Sequence, residues 1–360
     1  MKDAANLTPK AENGRRIRVK FLLKSGPDRE TANLRRRFPD AITSWGHCDF
    51  LFDSAADDYD WLVVYDDLPA SGQQRSEQLT CPRRHTLLIT AEPSSIKTYG
   101  SRFLRQFGYV LTSQEPWAIR HPRAVFSQPA LLWFYGRTGE LGSYNRMAAL
   151  DGITKVSDIS TVCSSKQQTH TLHRTRYDFV QALRKHLPEL DVFGHGVRPI
   201  ADKAEAIDPY RYHIAIENHI APHHWTEKLA DPLLGYSLPF YYGCPNAADY
   251  LPADSFIPIT LEDPEATAEQ IKRAIRDDEW VQRLSAIREA RRRLLDELGI
   301  FPTLSHFIEA RHDPAEEDAD IDALILGRRA LRISSPTAFL TEMAERFHAR
   351  IKNRKSHRQA

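Results

Sequence analysis

The sequence predicts an α/β protein built from two mostly parallel sheets that face a cleft. Three observations carry this reading. Short apolar runs of strand length alternate with helical patterns in both halves of the chain. A Gly-rich polar stretch, Gly136–Ser143 (GRTGELGS), separates the two series as a linker. At 360 residues the chain is too long for one ordinary core. The expected division is a first domain over 1–150, a second over 151–315, and C-terminal helices with a basic tail over 316–360. Open parallel sheets bind ligands beyond the carboxyl ends of their strands, so chemistry is sought there.

The elements follow in order. After a loose polar lead, Arg16–Lys24 (RIRVKFLLK), Asp60–Tyr65 (DWLVVY) and His85–Ala91 (HTLLITA) read as strands. Ser94–Phe107 reads as a helix between them. In the second series Ile159–Ser164 is a strand. His173–His186 is a helix, because Phe179, Leu183 and Leu187 share one face. Leu190–Phe193 and Arg211–Ile216 are strands, Trp225–Leu234 a helix, and Ser237–Tyr242 and Ser255–Ile259 strands again. Ala266–Leu298 is helical and charged, with a break near Asp277-Asp278. The acidic run Glu316–Asp322 precedes an amphipathic helix, Pro336–Lys352, and its basic end.

Composition excludes several classes. The formal net charge is +1, so no general field favours nucleic acid. The basic runs Arg35–Arg37 and Arg291–Arg293 lack an aromatic stripe, and no nucleic-acid partner is expected. The first residues lack the apolar core of a signal peptide. No run approaches the roughly 18–20 apolar residues that span a bilayer. Cys48, Cys81, Cys163 and Cys244 are far apart and read as reduced packing residues. The expected location is cytoplasmic, at or near the inner face of a membrane. The basic tail reads either as a solvated helix end or as a weak, reversible contact with anionic lipid.

Candidate chemistry concentrates between Tyr212 and Pro258. Glu217 and Asn218 follow a strand, where Asn218 suits a base, ribose or sugar hydroxyl; the plain alternative is a polar turn. Thr226, Glu227 and Lys228 open the next helix, whose free N–H groups and partial positive charge suit a phosphate. Glu227 reads equally as a first-turn acid that stabilises the helix. Gly243, in Tyr241-Tyr242-Gly243-Cys244-Pro245, would let backbone approach a ligand. Glu92 ends HTLLITA ahead of Pro93 and is the candidate general base of the other domain, or else a solvated end-of-strand acid. Arg174 and Arg176 begin a helix, where a guanidinium fork can take a phosphate. His219, His223 and His224 have a spacing unlike a zinc set and are expected to line the cleft. Asp58-Tyr59-Asp60, Asp66-Asp67 and Asp318-Ala319-Asp320 do not fit an Asp-x-Asp metal motif at the end of a strand.

Four segments in this block occur in order: Ile216-Glu217-Asn218, Thr226-Glu227-Lys228-Leu229, Tyr242-Gly243-Cys244-Pro245 and Pro252–Ile257 (PADSFI). Together they resemble glycosyltransferase family 10, the α-1,3/1,4-fucosyltransferases. The resemblance covers the second domain well and the first thinly. It implies a GT-B-type fold of two Rossmann-like domains facing a central cleft. It also implies GDP-fucose as donor, a glycan as acceptor, inversion at the anomeric carbon and no essential divalent metal. Asn218, Glu227 and Lys228 would contact the donor, with Glu217, Trp225, Thr226 and Gly243 in the same donor-binding set. Arg176 stands in a pattern like that of the family's diphosphate-binding arginine, and Ala91-Glu92-Pro93-Ser94 matches the string that carries its base. The family's Ser after Glu-Asn is His219 here. Two alternatives stay open: transfer of another nucleotide-activated sugar, or a catalytically silent nucleotide- or sugar-binding protein.

Overall fold

The computed structural model describes residues 15–24, 27–69, 76–130, 132–138, 141–165, 171–315 and 323–356. The polar lead, the acidic run Glu316–Asp322 with its Asp318-Ala319-Asp320, and the last residues of the basic tail lie outside the described residues.

The first half supplies strands β1 (Ile17–Leu23), β2 (Ser44–Trp45), β3 (Cys48–Leu51), β4 (Trp61–Tyr65), β5 (Ser76–Gln78), β6 (Thr86–Ile89), β7 (Tyr109–Thr112) and β8 (Ala124–Phe126). All but β5 form one sheet in the order β2-β3-β1-β4-β6-β7-β8, parallel apart from the β2–β3 pair. Leu23 lies opposite Tyr65, and Tyr65 opposite Ile89, so the carboxyl ends of β1, β4 and β6 are level. The second half supplies β9 (Ser157–Val162), β10 (Asp191–Phe193), β11 (Tyr210–Ile216), β12 (Leu238–Tyr242) and β13 (Ile257–Pro258). They form an all-parallel sheet in the order β10-β9-β11-β12-β13. A last strand, β14 (Leu324–Leu326), returns to pair antiparallel with β5.

The helices are α1 (Pro27–Arg35), α2 (Ser101–Leu104), α3 (Tyr144–Ala148), α4 (His173–His186), α5 (Glu227–Leu234), α6 (Pro264–Arg276), α7 (Glu279–Gln282), α8 (Leu284–Asp296), α9 (Ile300–Glu309), α10 (Arg328–Ser334) and α11 (Pro336–Ser356). Among the described residues, no helix is long and apolar enough to cross a membrane.

Side chains alternate across the first sheet as the pleat requires. Val19, Phe21, Trp61 and Val63 enter one core, while Leu22, Leu62 and Val64 enter the other. Packing redraws the expected domain boundaries. Trp133, Tyr135 and Met147 precede residue 150 yet join the second domain's core. Helix α9 precedes residue 315 yet packs Ile300, Phe301, Leu304, Phe307 and Ile308 into the first domain's core. Its Phe301 stacks on Phe38 with ring centroids 3.9 Å apart. The chain thus crosses between domains twice, which ties them together.

One expected helix is mostly absent. Of Ser94–Phe107 only Ser101–Leu104 is helical. Gly100 has φ +82°, a left-handed conformation that interrupts a helix. Upstream, Lys97 Nζ and Tyr99 Oη both reach Asp66 Oδ1 at 2.6 Å, which holds the segment in a loop over β4. That anchor, invisible to periodicity, overrides the local propensity.

Candidate functional site

The carboxyl ends of β9 and β11 and the amino ends of α4 and α5 enclose a cavity of about 240 Å³. Its wall includes Thr161, His173, Arg176, Lys203, Asn218, Glu227, Lys228 and Asp231. Helix α4 has Leu172 at its amino cap, and that side chain makes no cap hydrogen bond; the positive end of the helix dipole points at the cavity. Arg176 sits in that first turn, 7% exposed, with its Nε buried and without a hydrogen-bond partner. Asn218 Oδ1 is also buried and lacks a partner. Buried polar atoms are nearly always satisfied, so two orphans on one wall call for a polar occupant.

Helix α5 is set by its cap. Thr226 Oγ1 accepts from Lys228 N at 3.3 Å. Glu217, fully buried at the end of β11, accepts from Thr226 N at 2.8 Å and from Thr226 Oγ1 at 2.9 Å. Lys228 Nζ lies 3.1 Å from Thr226 Oγ1, 3.2 Å from Glu227 Oε1 and 3.4 Å from Glu217 Oε2. Burial alone would lower the Lys228 pKa, but the two carboxylates outweigh it and hold the ammonium charged. Burial pushes the Glu217 carboxyl up against the pull of Lys228. Glu227 goes the other way: despite burial, Lys228 and Lys203 hold it far below the usual carboxylate range. Lys203 Nζ also grips Asp231 Oδ2 at 2.7 Å, and Asp231 accepts from the N–H groups of Phe134 and Tyr135.

The structure therefore divides the nine site residues expected from sequence. Arg176, Asn218, Glu227 and Lys228 share the cavity wall. Four others stand behind it. Glu217 and Thr226 position α5. Trp225 is 1% exposed and packs on Tyr250, with ring centroids 5.7 Å apart. At Gly243 a Cβ would stand 2.3 Å from Tyr241 Oη and 2.5 Å from Glu217 Cγ. The glycine thus makes room for these two side chains, which corrects the expected close approach of backbone to ligand. Glu217 and Trp225 are likewise buried supports rather than lining groups, because their side chains turn into the second domain's interior.

Glu92 comes from the first domain, just past β6. Part of the residue is exposed, while its carboxyl is partly shielded by the surrounding protein. Loss of solvent raises its pKa, and neighbouring Asp66 raises it further; Lys97 and Lys228 oppose them. Lys228 of the second domain is thus near enough to favour the charged form of Glu92. The Tyr65 pKa is raised by burial, by Asp66 and Glu92 of its own domain, and by Glu227 of the other. Gln114 fixes the loop that carries Glu92, donating to Glu92 O at 2.6 Å and to Lys97 O at 2.9 Å.

The three histidines go to separate partners. His219 Nε2 meets Glu115 Oε1 at 3.1 Å, His224 Nδ1 meets Ser113 Oγ at 3.0 Å, and His223 Nδ1 meets Tyr250 Oη at 2.6 Å. The first two contacts join the domains below the cleft. Burial and nearby His219 lower the His224 pKa to about 3, so it is neutral. Among the described residues, no group of three or more His, Cys, Asp or Glu side chains could hold a metal ion.

Sequence reasoning missed Lys203, Tyr65, Asp66 and Gln114. Asp66 and Tyr65 end a strand just as Glu92 does, and that signal was readable. Lys203 lies in a short turn 24 residues before Glu227 (227 − 203) with no pattern to mark it.

Residues 154–290 match the family described as glycosyltransferase family 10 (fucosyltransferase) C-term. A fucosyltransferase-like protein of Arabidopsis thaliana is 36% identical over 102 residues, which is 27% of this chain and 20% of that protein. A 4-galactosyl-N-acetylglucosaminide 3-alpha-L-fucosyltransferase of Pongo pygmaeus is 29% identical over 109 residues, 28% of this chain and 30% of that enzyme. The matched region thus spans under a third of either relative. A crystal structure of an α1,3-fucosyltransferase aligns over 88% of this chain and 95% of its own, with a TM-score of 0.53 and 14% identity. At that identity the likeness speaks for the fold, which is GT-B.

Proposed function

We propose that the protein transfers fucose from GDP-fucose to a hydroxyl of a glycan acceptor, with inversion; the match of residues 154–290 to glycosyltransferase family 10 supports this reading. The observation that carries the reading is the cavity beyond β9 and β11, whose lining brings together Arg176, Lys203, Lys228 and the amino end of α4. Such a wall suits a diphosphate. In this reading Asn218 and Glu227 meet hydroxyls of the ribose or sugar, and Glu92 acts from the other domain.

In this reading the reaction is a single displacement. Glu92 takes the proton of the acceptor hydroxyl, whose oxygen attacks the anomeric carbon from the face opposite the diphosphate. The carbon–oxygen bond to the diphosphate breaks, and negative charge grows on the leaving group. Arg176, Lys203 and Lys228 are already fixed around that position, so little reorganisation is needed as the charge develops. The raised pKa of Glu92 makes it a stronger base than a solvated glutamate. No divalent ion takes part, and turnover in EDTA is the check.

The deciding experiment compares wild type with Glu92→Gln. Calorimetry reads GDP binding, and GDP release from GDP-fucose is followed against a glycan panel. Glu92→Gln should bind GDP normally and lose turnover. Near-wild-type turnover removes Glu92 as the base. Preference for UDP over GDP removes the donor assignment.

A further inference from the structure

Helix α11 is built inside out. The face it lays on the first domain is small and polar: Ala338, Glu342, Ala349 and Asn353, each 7% exposed or less. Glu342 pairs with buried Arg328 at 2.7 Å, Glu345 accepts from Ser101 N at 3.0 Å, and Asn353 Oδ1 accepts from Ser94 Oγ at 3.2 Å. The opposite face is large and apolar. Phe339, Leu340, Met343, Phe347 and Ile351 are 45%, 66%, 46%, 66% and 42% exposed, and Ile333 of α10 adds 69%. Spacings of four residues put Phe339, Met343, Phe347 and Ile351 on one continuous ridge. Ordinary surface helices reverse this arrangement, and exposed apolar stripes of this length mark a binding surface.

Charge identifies the occupant. Both glutamates of α11 are turned to the protein, whereas Arg329, Arg346 and Arg350 are exposed beside the ridge. An apolar ridge flanked by exposed cations, of which Arg346 also reaches Glu342 at 3.8 Å, fits the headgroup boundary of an anionic bilayer. It does not fit a second copy of itself, because two such surfaces would bring like charges together. We propose that α11, with the end of α10, is a membrane-docking surface that lies in the plane of an anionic bilayer. It reaches the cleft: Asn353 contacts Ser94, two residues beyond Glu92. Docking therefore sets the first domain's lip of the cleft at the lipid surface. The proposal rests on this face alone and not on any transfer reaction.

The test is co-sedimentation of the full chain with phosphatidylcholine vesicles, neutral or containing ~30 mol% phosphatidylglycerol. Binding should require the anionic lipid and weaken with salt. Phe339→Ser with Phe347→Ser should abolish it, and Arg329→Ser with Arg350→Ser should weaken it about thirtyfold. These side chains point outward, so melting temperature and GDP affinity should stay unchanged, and Leu340→Ser serves as a milder second variant. Absence of binding to the anionic vesicles overturns the proposal. So does wild-type binding by both double variants. Self-association in sedimentation velocity that the phenylalanine changes abolish, without vesicle binding, assigns the ridge to a second copy instead.

Discussion

Gly243→Ala separates a packing role from a ligand role. The new Cβ would stand 2.3 Å from Tyr241 Oη and 2.5 Å from both Tyr241 Cζ and Glu217 Cγ. Neither neighbour has room to retreat, since Tyr241 is 4% exposed and Glu217 is fully buried. Overpacking of this kind costs about 1–3 kcal/mol. Displacing Tyr241 also strains the bond its hydroxyl accepts from Cys244 N at 2.9 Å. A weakened buried hydrogen bond adds ~1 kcal/mol, for a total near 2–4 kcal/mol. Moving Glu217 would loosen its hold on Thr226 and hence on Lys228, so GDP affinity should fall as well. Urea unfolding gives the stability and calorimetry gives the affinity on the same preparation. A variant of unchanged stability, within ~0.5 kcal/mol, that loses only GDP affinity would show that the glycine serves ligand approach, and the packing argument would fail.

Turnover should need ionised Glu92, so activity is full above its pKa and falls as the pH drops through it. Because that pKa is raised by desolvation and Asp66, the acid limb of the pH–rate profile should lie above the ordinary glutamate value of 4.5, and a midpoint at or below that value counts against this base. Lys203→Met should leave Asp231 without its cation and Glu227 with Lys228 alone. A cost of ~3–5 kcal/mol in urea unfolding is expected, together with weaker GDP binding; unchanged stability would mean that the Lys203–Asp231 contact at 2.7 Å carries no weight. Phe301→Ala removes a fully buried ring stacked on Phe38 and should cost ~3–5 kcal/mol, read as a destabilised first domain although the residue lies 151 positions past residue 150 (301 − 150).

The sequence alone determined where strands run and where they stop. Residues 61–65 and 87–89 are uniformly apolar because both faces of a parallel sheet are covered, and that pattern is local. The helix His173–His186 was readable to the residue because its apolar spacing is regular. Strand ends then pointed to Glu92, Asn218 and Lys228, since ligands gather at such ends. Only the tertiary structure decided which way each neighbouring side chain turns. Glu217 and Asn218 are adjacent, yet one is sealed behind Thr226 and the other aims an unpaired oxygen at the cavity. No pattern marks Lys203, because its partners Glu227 and Asp231 meet it only through the packing of distant segments. The same holds for α9, whose apolar face suits either core until Phe38 and Phe50 give it one to fill. Backbone periodicity is encoded in neighbours along the chain. The direction of a side chain and the identity of its partner come from residues far away in sequence, and folding is what brings them together.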